Sequence, residues 1–256
     1  VKPKAITFFD LDGTLLNKQS QVDPDVAQAM QTLRKNNILP VIATGRTNPE
    51  IIDIAKAAGI DSFITMNGQY VEIAGKEVYS DILDVGVVER MLHFAQSRGD
   101  ELGFYNHKKI RVTTHTALMK KAYDFIHSDL PEIDPEFFQK EELNMLLVLG
   151  TDGDDEYIKN FPELKFFRNG PFSIDTIDKD GSKGHGVRKL LENMNYLDVP
   201  TYGFGDGPND MELLGACKYK IAMGNARDTL KEQADFVTKK NTDGGIVYAL
   251  RHFDLI

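Results

Sequence analysis

Ala5-Ile6-Thr7-Phe8-Phe9 is an apolar run rich in β-branched and aromatic side chains, without polar alternation, the pattern of a strand covered on both faces. It predicts a first strand that stops abruptly at Asp10. Ile38 to Ala43 is a second such run and stops at Thr44-Gly45-Arg46, and Tyr202 to Gly205 stops at Asp206-Gly207-Pro208-Asn209-Asp210. Helical spacing fills the gaps between them. Asp23-Pro24 reads as an N-cap with proline at the first helical position, followed by Val26, Met30 and Leu33 on one face, and Asn48-Pro49 opens a second helix that ends at Gly59. Ser182 reads as the N-cap of a helix carrying Val187, Leu190, Leu191 and Met194 at i, i+3, i+4 and i+7, which places Lys183 in its first turn.

Ser62 to Met66 predicts a third strand, and the turn signals Asn67-Gly68 and Ala74-Gly75-Lys76 predict two small hairpins around Tyr70 to Ile73 and Glu77 to Tyr79. From Ile82 to about Asp178 the order of elements changes. The pattern there predicts a helix carrying Val85, Val88, Met91 and Leu92, and strands at Leu102 to Tyr105 and Ile110 to Thr114. A helix from Thr116 to His127, an acidic loop from Asp129 to Glu142, the apolar Met145 to Leu149, a short helix near Glu156, and strands at Lys165 to Arg168 and Phe172 to Ile177 follow. After Ser182 the alternation resumes, with a helix over Met211 to Ala216, a strand at Tyr219 to Met223, a helix from Ala226, a strand at Phe236 to Thr238 and a last helix from Gly245. The expected fold class is therefore α/β: a Rossmann-like parallel-sheet core formed by residues 1–81 and 182–256, interrupted by an α+β insert at 82–181.

Composition narrows the function more than the fold. With 256 residues and 41% hydrophobic content the chain can bury a sizeable core, and no run of 18 apolar residues is present. A net charge of −9 argues against general binding to nucleic acid or anionic membranes, which requires Lys and Arg to neutralise phosphates. Val1 to Lys4 carries no secretory apolar stretch, so a cytoplasmic location is the expectation. The single cysteine, Cys217, lies in the apolar MELLGAC segment and is expected to be a small buried side chain.

Asp10 and Asp12, at i and i+2 on extended chain, would point to one side and repel by roughly 4 kcal/mol at 4 Å with an effective dielectric near 20. They need a cation, a shared proton or water, and a solvated polar turn is as open a reading as a hard divalent ion. What changes the balance is company. Ligands of open α/β sheets bind at the carboxyl ends of the strands. There lie Asp10 and Asp12, Thr44, Lys183 at its helix N-terminus, and Asp206 with Asn209 and Asp210. Hydroxyl, cation and carboxylates together fit a phosphate beside Mg²⁺. None of the six histidines has metal-type spacing with another, and no G-x-x-x-x-G-K-[ST] occurs.

The ordered set D-x-D-G-T at Asp10 to Thr14, T-G-R at Thr44 to Arg46, N-G at Asn67-Gly68, S-K-G at Ser182 to Gly184 and G-D-x-x-N-D at Gly205 to Asp210 resembles the haloacid dehalogenase superfamily. Within it the chain looks like the Cof-like phosphatases, a likeness that continues through M-G-N-A at Met223 to Ala226, A-D-x-V-T at Ala234 to Thr238 and D-G-G at Asp243 to Gly245. The resemblance implies a nucleophilic Asp10 that takes the phosphoryl group as an aspartyl-phosphate, and Asp12 as acid and then base. It implies phosphoryl or substrate contacts from Thr44, Gly45, Arg46, Lys183 and Asn209. It also implies Mg²⁺ held by Asp10, the Asp12 carbonyl and Asp206, with Asp210 supporting the metal shell. The insert matches the position of the family's larger, second-type cap, where Asn106, His107, Lys108 and Arg111 are candidates for specificity. The implied activity is hydrolysis of phosphate monoesters of small metabolites, sugar phosphates foremost. A phosphomutase or phosphotransferase is the nearer alternative, and a non-catalytic phospho-acceptor or binding protein the more distant one.

Overall fold

The computed structural model describes residues 2–125, 128–168 and 170–256, which separate into two compact units: Val1–Tyr79 with Ser182–Ile256, and Ser80–Gly181. The first unit opens with β1 (Ala5–Phe9), α1 (Pro24–Lys35), β2 (Ile38–Ala43), α2 (Asn48–Ala58), β3 (Ser62–Thr65), β4 (Tyr70–Ile73) and β5 (Lys76–Ser80). All five residues of β1 are buried, as an apolar run without alternation requires. β4 runs antiparallel to β3, so the parallel pattern breaks at the Asn67-Gly68 signal.

In the second unit α3 (Val85–Arg98), β6 (Glu101–Tyr105), β7 (Ile110–Val112), α4 (Ala117–Phe125), α5 (Phe137–Lys140), β8 (Met145–Leu149), α6 (Asp154–Asn160), β9 (Leu164–Arg168) and β10 (Ser173–Asp178) follow. The strands form an antiparallel sheet in the order β7-β6-β8-β10-β9, with the wholly apolar β8 at its centre. One face of that sheet and α3 enclose a separate core containing Val88, Met91, Leu92, Leu102, Phe104, Leu146, Val148 and Ile174. The helix expected to carry Val85, Val88, Met91 and Leu92 is α3; Val88, Met91 and Leu92 are buried, and Val85, at the first helical position after the Asp84 cap, is 56% exposed. The helix expected over Thr116 to His127 is present as α4, with Thr116 Oγ1 accepting from Met119 N at 3.1 Å; residues 126 and 127 lie outside the described residues.

The chain returns to the first sheet through α7 (Lys183–Asn193), β11 (Thr201–Gly205), α8 (Met211–Gly215), β12 (Tyr219–Ala222), α9 (Asp228–Lys231), β13 (Phe236–Val237) and α10 (Gly245–His252). The full order is β13-β12-β11-β1-β2-β3-β4-β5, with β13 through β3 mutually parallel. From β1 the chain winds outward through β2 and β3, and its return builds the other half from β11, so the strand order reverses beside β1. That reversal is where an open α/β sheet leaves a crevice for ligands. Among the described residues no helix is long and apolar enough to cross a membrane.

Two local expectations shift. Asp23 stands at the head of α1, but its carboxylate accepts from Asn17 Nδ2 at 2.7 Å and caps no helical N–H. The helix expected from Ala226 begins at Asp228, since Arg227 is extended as its N-cap (φ −62°, ψ 145°), in a turn where Ala226 N bonds Met223 O at 2.9 Å and Arg227 N bonds Asp206 O at 3.1 Å. Cys217 is buried and its thiol is pushed up to about 12 by desolvation, which leaves it inert at neutral pH.

Candidate active site

The site begins where β1 ends. Asp10 N donates to Phe204 O at 3.0 Å, so pairing with β11 extends to the first acidic residue and fixes its backbone. The chain then loops back, with Leu15 N reaching Asp10 O at 3.1 Å and Leu16 N reaching Leu11 O at 2.9 Å. Gly13 makes this turn at φ +85°, where an L side chain is disfavoured, and a Cβ there would overlap the Asp206 carboxylate. Glycine is therefore required twice, by conformation and by contact. Thr14 Oγ1 donates to Asp206 Oδ1 at 3.3 Å.

Lys183 enters from the first turn of α7, whose N-cap Ser182 accepts from His185 N at 3.0 Å. Its side chain is buried, and Nζ donates to Asp10 Oδ1 at 2.6 Å and to Asp210 Oδ1 at 2.8 Å. Asp210 is wholly buried, and its other oxygen accepts from Asp206 N at 3.0 Å and Gly207 N at 2.9 Å. The loop after β11 thus closes on its own carboxylate. Asp210 also hands Lys183 toward Asp10, and its commitments make it a support for the cluster more than a donor with a free oxygen.

Carboxylate oxygens of Asp10, Asp206 and Asp210 lie within 4.8 Å of one another. Desolvation, then the charge of Asp210, pushes the Asp10 carboxyl up to about 8 against the pull of Lys183. The same two causes push Asp206 up to about 6. Burial works against the Lys183 ammonium, but Asp10 and Asp210 outweigh it and raise its pKa, so the lysine stays charged. Three carboxylates facing one cation leave an excess of negative charge in a partly desolvated space. An all-oxygen donor set without His or Cys fits a small hard cation such as Mg²⁺.

The other candidate residues stand on the loops after β2 and β11 and in the insert. Thr44 follows β2, is buried, accepts from Arg46 N at 3.1 Å through Oγ1, and accepts from Asn67 N at 3.0 Å through its carbonyl. Gly45 is half-buried in the same turn, and Asn209 is exposed on the loop after β11. Arg46 grips Asp12 with both ends of its fork, Nε to Oδ2 at 3.0 Å and Nη2 to Oδ1 at 2.6 Å, while the Asp12 side chain remains 58% exposed. In the insert, Asn106 Oδ1 accepts from Lys108 N and Lys109 N, both at 2.9 Å, which makes it a turn-former. Arg111 pairs with Glu132 at 2.7 Å.

Three features were not assigned a part by the sequence reading. Thr14 sits inside the D-x-D-G-T motif, and Asn225 inside M-G-N-A, where its Nδ2 donates to Gly13 O at 2.8 Å. The third is backbone geometry: Met66, Asn67 and Gly68 are consecutive left-handed residues, at φ +50°, +53° and +94°. A Cβ at Gly68 would overlap the Ser182 carbonyl, so this bend braces the start of the Lys183 helix.

Across residues 7–250 the chain matches the family model of the haloacid dehalogenase-like hydrolases. It belongs to that family. Relatives agree along the whole length: the chain is 30% identical to the putative phosphatase YkrA of Bacillus subtilis, over 98% of each chain. A crystal structure of a hypothetical protein from Geobacillus kaustophilus HTA426 superposes with a TM-score of 0.93 at 33% identity, covering 99% of this chain and 100% of that one. The HAD subclass IIB sugar phosphatase BT4131 superposes at 0.84 with 27% identity, covering 98% of this chain and 100% of that one. As a haloacid dehalogenase-like hydrolase the chain is an enzyme, and the acidic cluster at the reversal point of its parallel sheet lies where such a fold places chemistry.

Proposed function

We propose that the chain is a Mg²⁺-dependent phosphatase that hydrolyses phosphate monoesters of small metabolites, sugar phosphates foremost. The observation that carries this reading is the buried Lys183 ammonium bridging Asp10 and Asp210, with Asp206 alongside. Such a cluster presents one nucleophilic oxygen beside a fixed positive charge. The sugar-phosphatase description of BT4131 and the phosphatase name of YkrA support the substrate class.

In this reading an Asp10 oxygen attacks phosphorus, the P–O bond to the leaving group breaks, and Asp12 gives that oxygen its proton. Asp12, now ionised, takes a proton from a water that attacks the phosphorus of the aspartyl-phosphate, and the P–O bond to Asp10 breaks to release inorganic phosphate. Lys183, the Thr44 hydroxyl and the N-terminus of α7 hold the phosphoryl oxygens, with Asn209 at the rim. Arg46 can exchange Asp12 for an anionic substrate oxygen at small cost, because a half-exposed ion pair contributes only about 0–1 kcal/mol. Asp10, the Asp12 carbonyl and Asp206 would hold Mg²⁺, backed by Asp210. Bound there, Mg²⁺ supplies positive charge against the phosphoryl oxygens and the excess of carboxylates.

The inserted unit serves in this reading as the family's cap and carries the choice among substrates. The test is inorganic phosphate release across a panel of phosphorylated metabolites with and without chelator. Turnover that Mg²⁺ supports, chelator abolishes and Asp10→Asn eliminates is the expected result. Undiminished turnover in excess chelator would remove the metal from the reading.

A further inference from the structure

The motifs M-G-N-A and D-G-G contribute no group to the chemistry above, yet their segments hold the catalytic loop at two points. Asn225 Nδ2 donates to Gly13 O at 2.8 Å and reaches Asp206 Oδ2 at 3.4 Å. Its Oδ1 accepts from Asn241 N at 2.9 Å. A backbone N–H can only donate, so this bond fixes the amide orientation and aims the NH₂ at Gly13 and Asp206. Asn241 in turn sends Nδ2 to Leu16 O at 2.8 Å, at the far end of the same loop. The two segments are joined by Gly224 N to Lys239 O at 3.0 Å, and the Asn225 turn is tied to the backbone of Asp206 by Arg227 N to Asp206 O at 3.1 Å.

We propose that Asn225, oriented by Asn241, is a positioning residue that sets the placement of the Asp206 carboxylate against the Asp10–Leu16 loop, and through it the metal affinity of the site. The inference rests on the reading of Asp206 as a metal ligand. Asp206 is held from both sides, Oδ1 by Thr14 and Oδ2 by Asn225, and Asn225 also grips the loop that carries Asp10 and the Asp12 carbonyl. Groups that orient metal ligands without touching the ion ordinarily govern affinity by about 10- to 100-fold. Asn225 is exposed, so truncating it opens no cavity in the core.

The experiment is Mg²⁺ titration by calorimetry on the wild type, Asn225→Ala and Asn241→Ala, with thermal unfolding in metal-free buffer and p-nitrophenyl phosphate kinetics alongside. Asn225→Ala should weaken Mg²⁺ binding by about 10-fold or more. Its metal-free melting temperature should stay near that of the wild type, and saturating Mg²⁺ should restore most of kcat. Asn241→Ala should shift affinity in the same direction by less, because the backbone bond to Asn225 survives. Unchanged Mg²⁺ affinity in Asn225→Ala overturns the inference, whether activity is intact or only KM rises as for a direct substrate contact. A lowered metal-free melting temperature with turnover that excess Mg²⁺ does not restore also overturns it, since the role is then architectural. A wild type that binds no Mg²⁺ removes both the metal reading and this inference.

Discussion

Lys183 Nζ and Asp10 Oδ1 are 2.6 Å apart with both side chains nearly sealed from water, so this carboxylate and the cation beside it form one electrostatic unit. Removing one partner of a buried pair leaves the other charged and desolvated, at a cost of about 3–5 kcal/mol. Lys183→Met leaves Asp10 and Asp210 without their shared cation and should lower stability by that order at pH 9.5, above the value of about 8 to which the Asp10 carboxyl is raised, while abolishing phosphate release at neutral pH. Lowering the pH to 6, below that value, lets Asp10 keep its proton, so the destabilisation should shrink there. Urea unfolding at the two pH values checks it; an equal loss at both would mean that Lys183 acts by packing and not by charge.

Magnesium should stabilise the protein more at high pH than at low. The folded-state pKa values of Asp10 and Asp206 are raised to about 8 and about 6, from 3.8. A raised acid binds more protons folded than unfolded, so its contribution to stability is fully present below pH 3.8 and is lost as pH rises, by about 6 for Asp206 and about 8 for Asp10. Above that window the metal-free cluster carries its full repulsion, which a divalent cation relieves. Below it, protons compete with the metal. The increase in melting temperature on adding a fixed Mg²⁺ concentration should therefore be larger at pH 8.5 than at pH 5, and the comparison with and without metal cancels titrations elsewhere in the chain. A shift independent of pH would place the ion away from these two carboxylates.

Arg46→Ala separates binding from folding. The pair with Asp12 is bidentate but half in water, so its loss should change unfolding free energy by less than about 1 kcal/mol. If Arg46 exchanges Asp12 for substrate, the lost charge-assisted contact, ~1.5–3 kcal/mol, appears as a KM increase of about 10- to 100-fold. Steady-state kinetics beside a denaturation curve decide it. A stability loss larger than the kinetic one would make Arg46 a structural residue.

Most of the layout was legible because one signal carried it: strands buried on both faces read as unbroken apolar runs, and each stopped at a residue that cannot be buried alone. Asp10, Thr44 and Asp206 follow β1, β2 and β11, three adjacent strands, so reading their ends also brought out the candidate site. What stayed hidden depends on contacts distant in sequence. Nothing local to Asp210 says that one oxygen turns back to Asp206 N and Gly207 N while the other meets Lys183, 27 positions away. Nor does Asn225 announce that it reaches Gly13, 212 positions away. The start of α9 was misplaced for a related reason: Ala226 has good helix propensity, but Arg227 is held extended in the turn that bonds Asp206 O.

The most discriminating outcome concerns the two carboxylates of the D-x-D motif, which occupy opposite environments. Asp10 is buried and paired with a lysine, whereas Asp12 is largely exposed and paired with Arg46. Asp10→Asn and Asp12→Asn should both be nearly inactive toward alkyl phosphates, for different reasons. In Asp10→Asn the neutral amide has no anionic oxygen with which to attack phosphorus, so no covalent intermediate forms with any substrate. Asp12→Asn keeps the nucleophile, but its amide can neither protonate a poor leaving group nor take a proton from water. An activated aryl ester, whose leaving group departs without a proton, should restore the first half-reaction in Asp12→Asn alone. The trace would then show a burst of about one equivalent of phenolate per site followed by a stall, with phosphate retained on the protein as an acid-stable, hydroxylamine-sensitive adduct. A burst from Asp10→Asn, or equal small losses of Asp12→Asn on poor and activated esters, would require the roles to be reassigned while leaving the family unchanged.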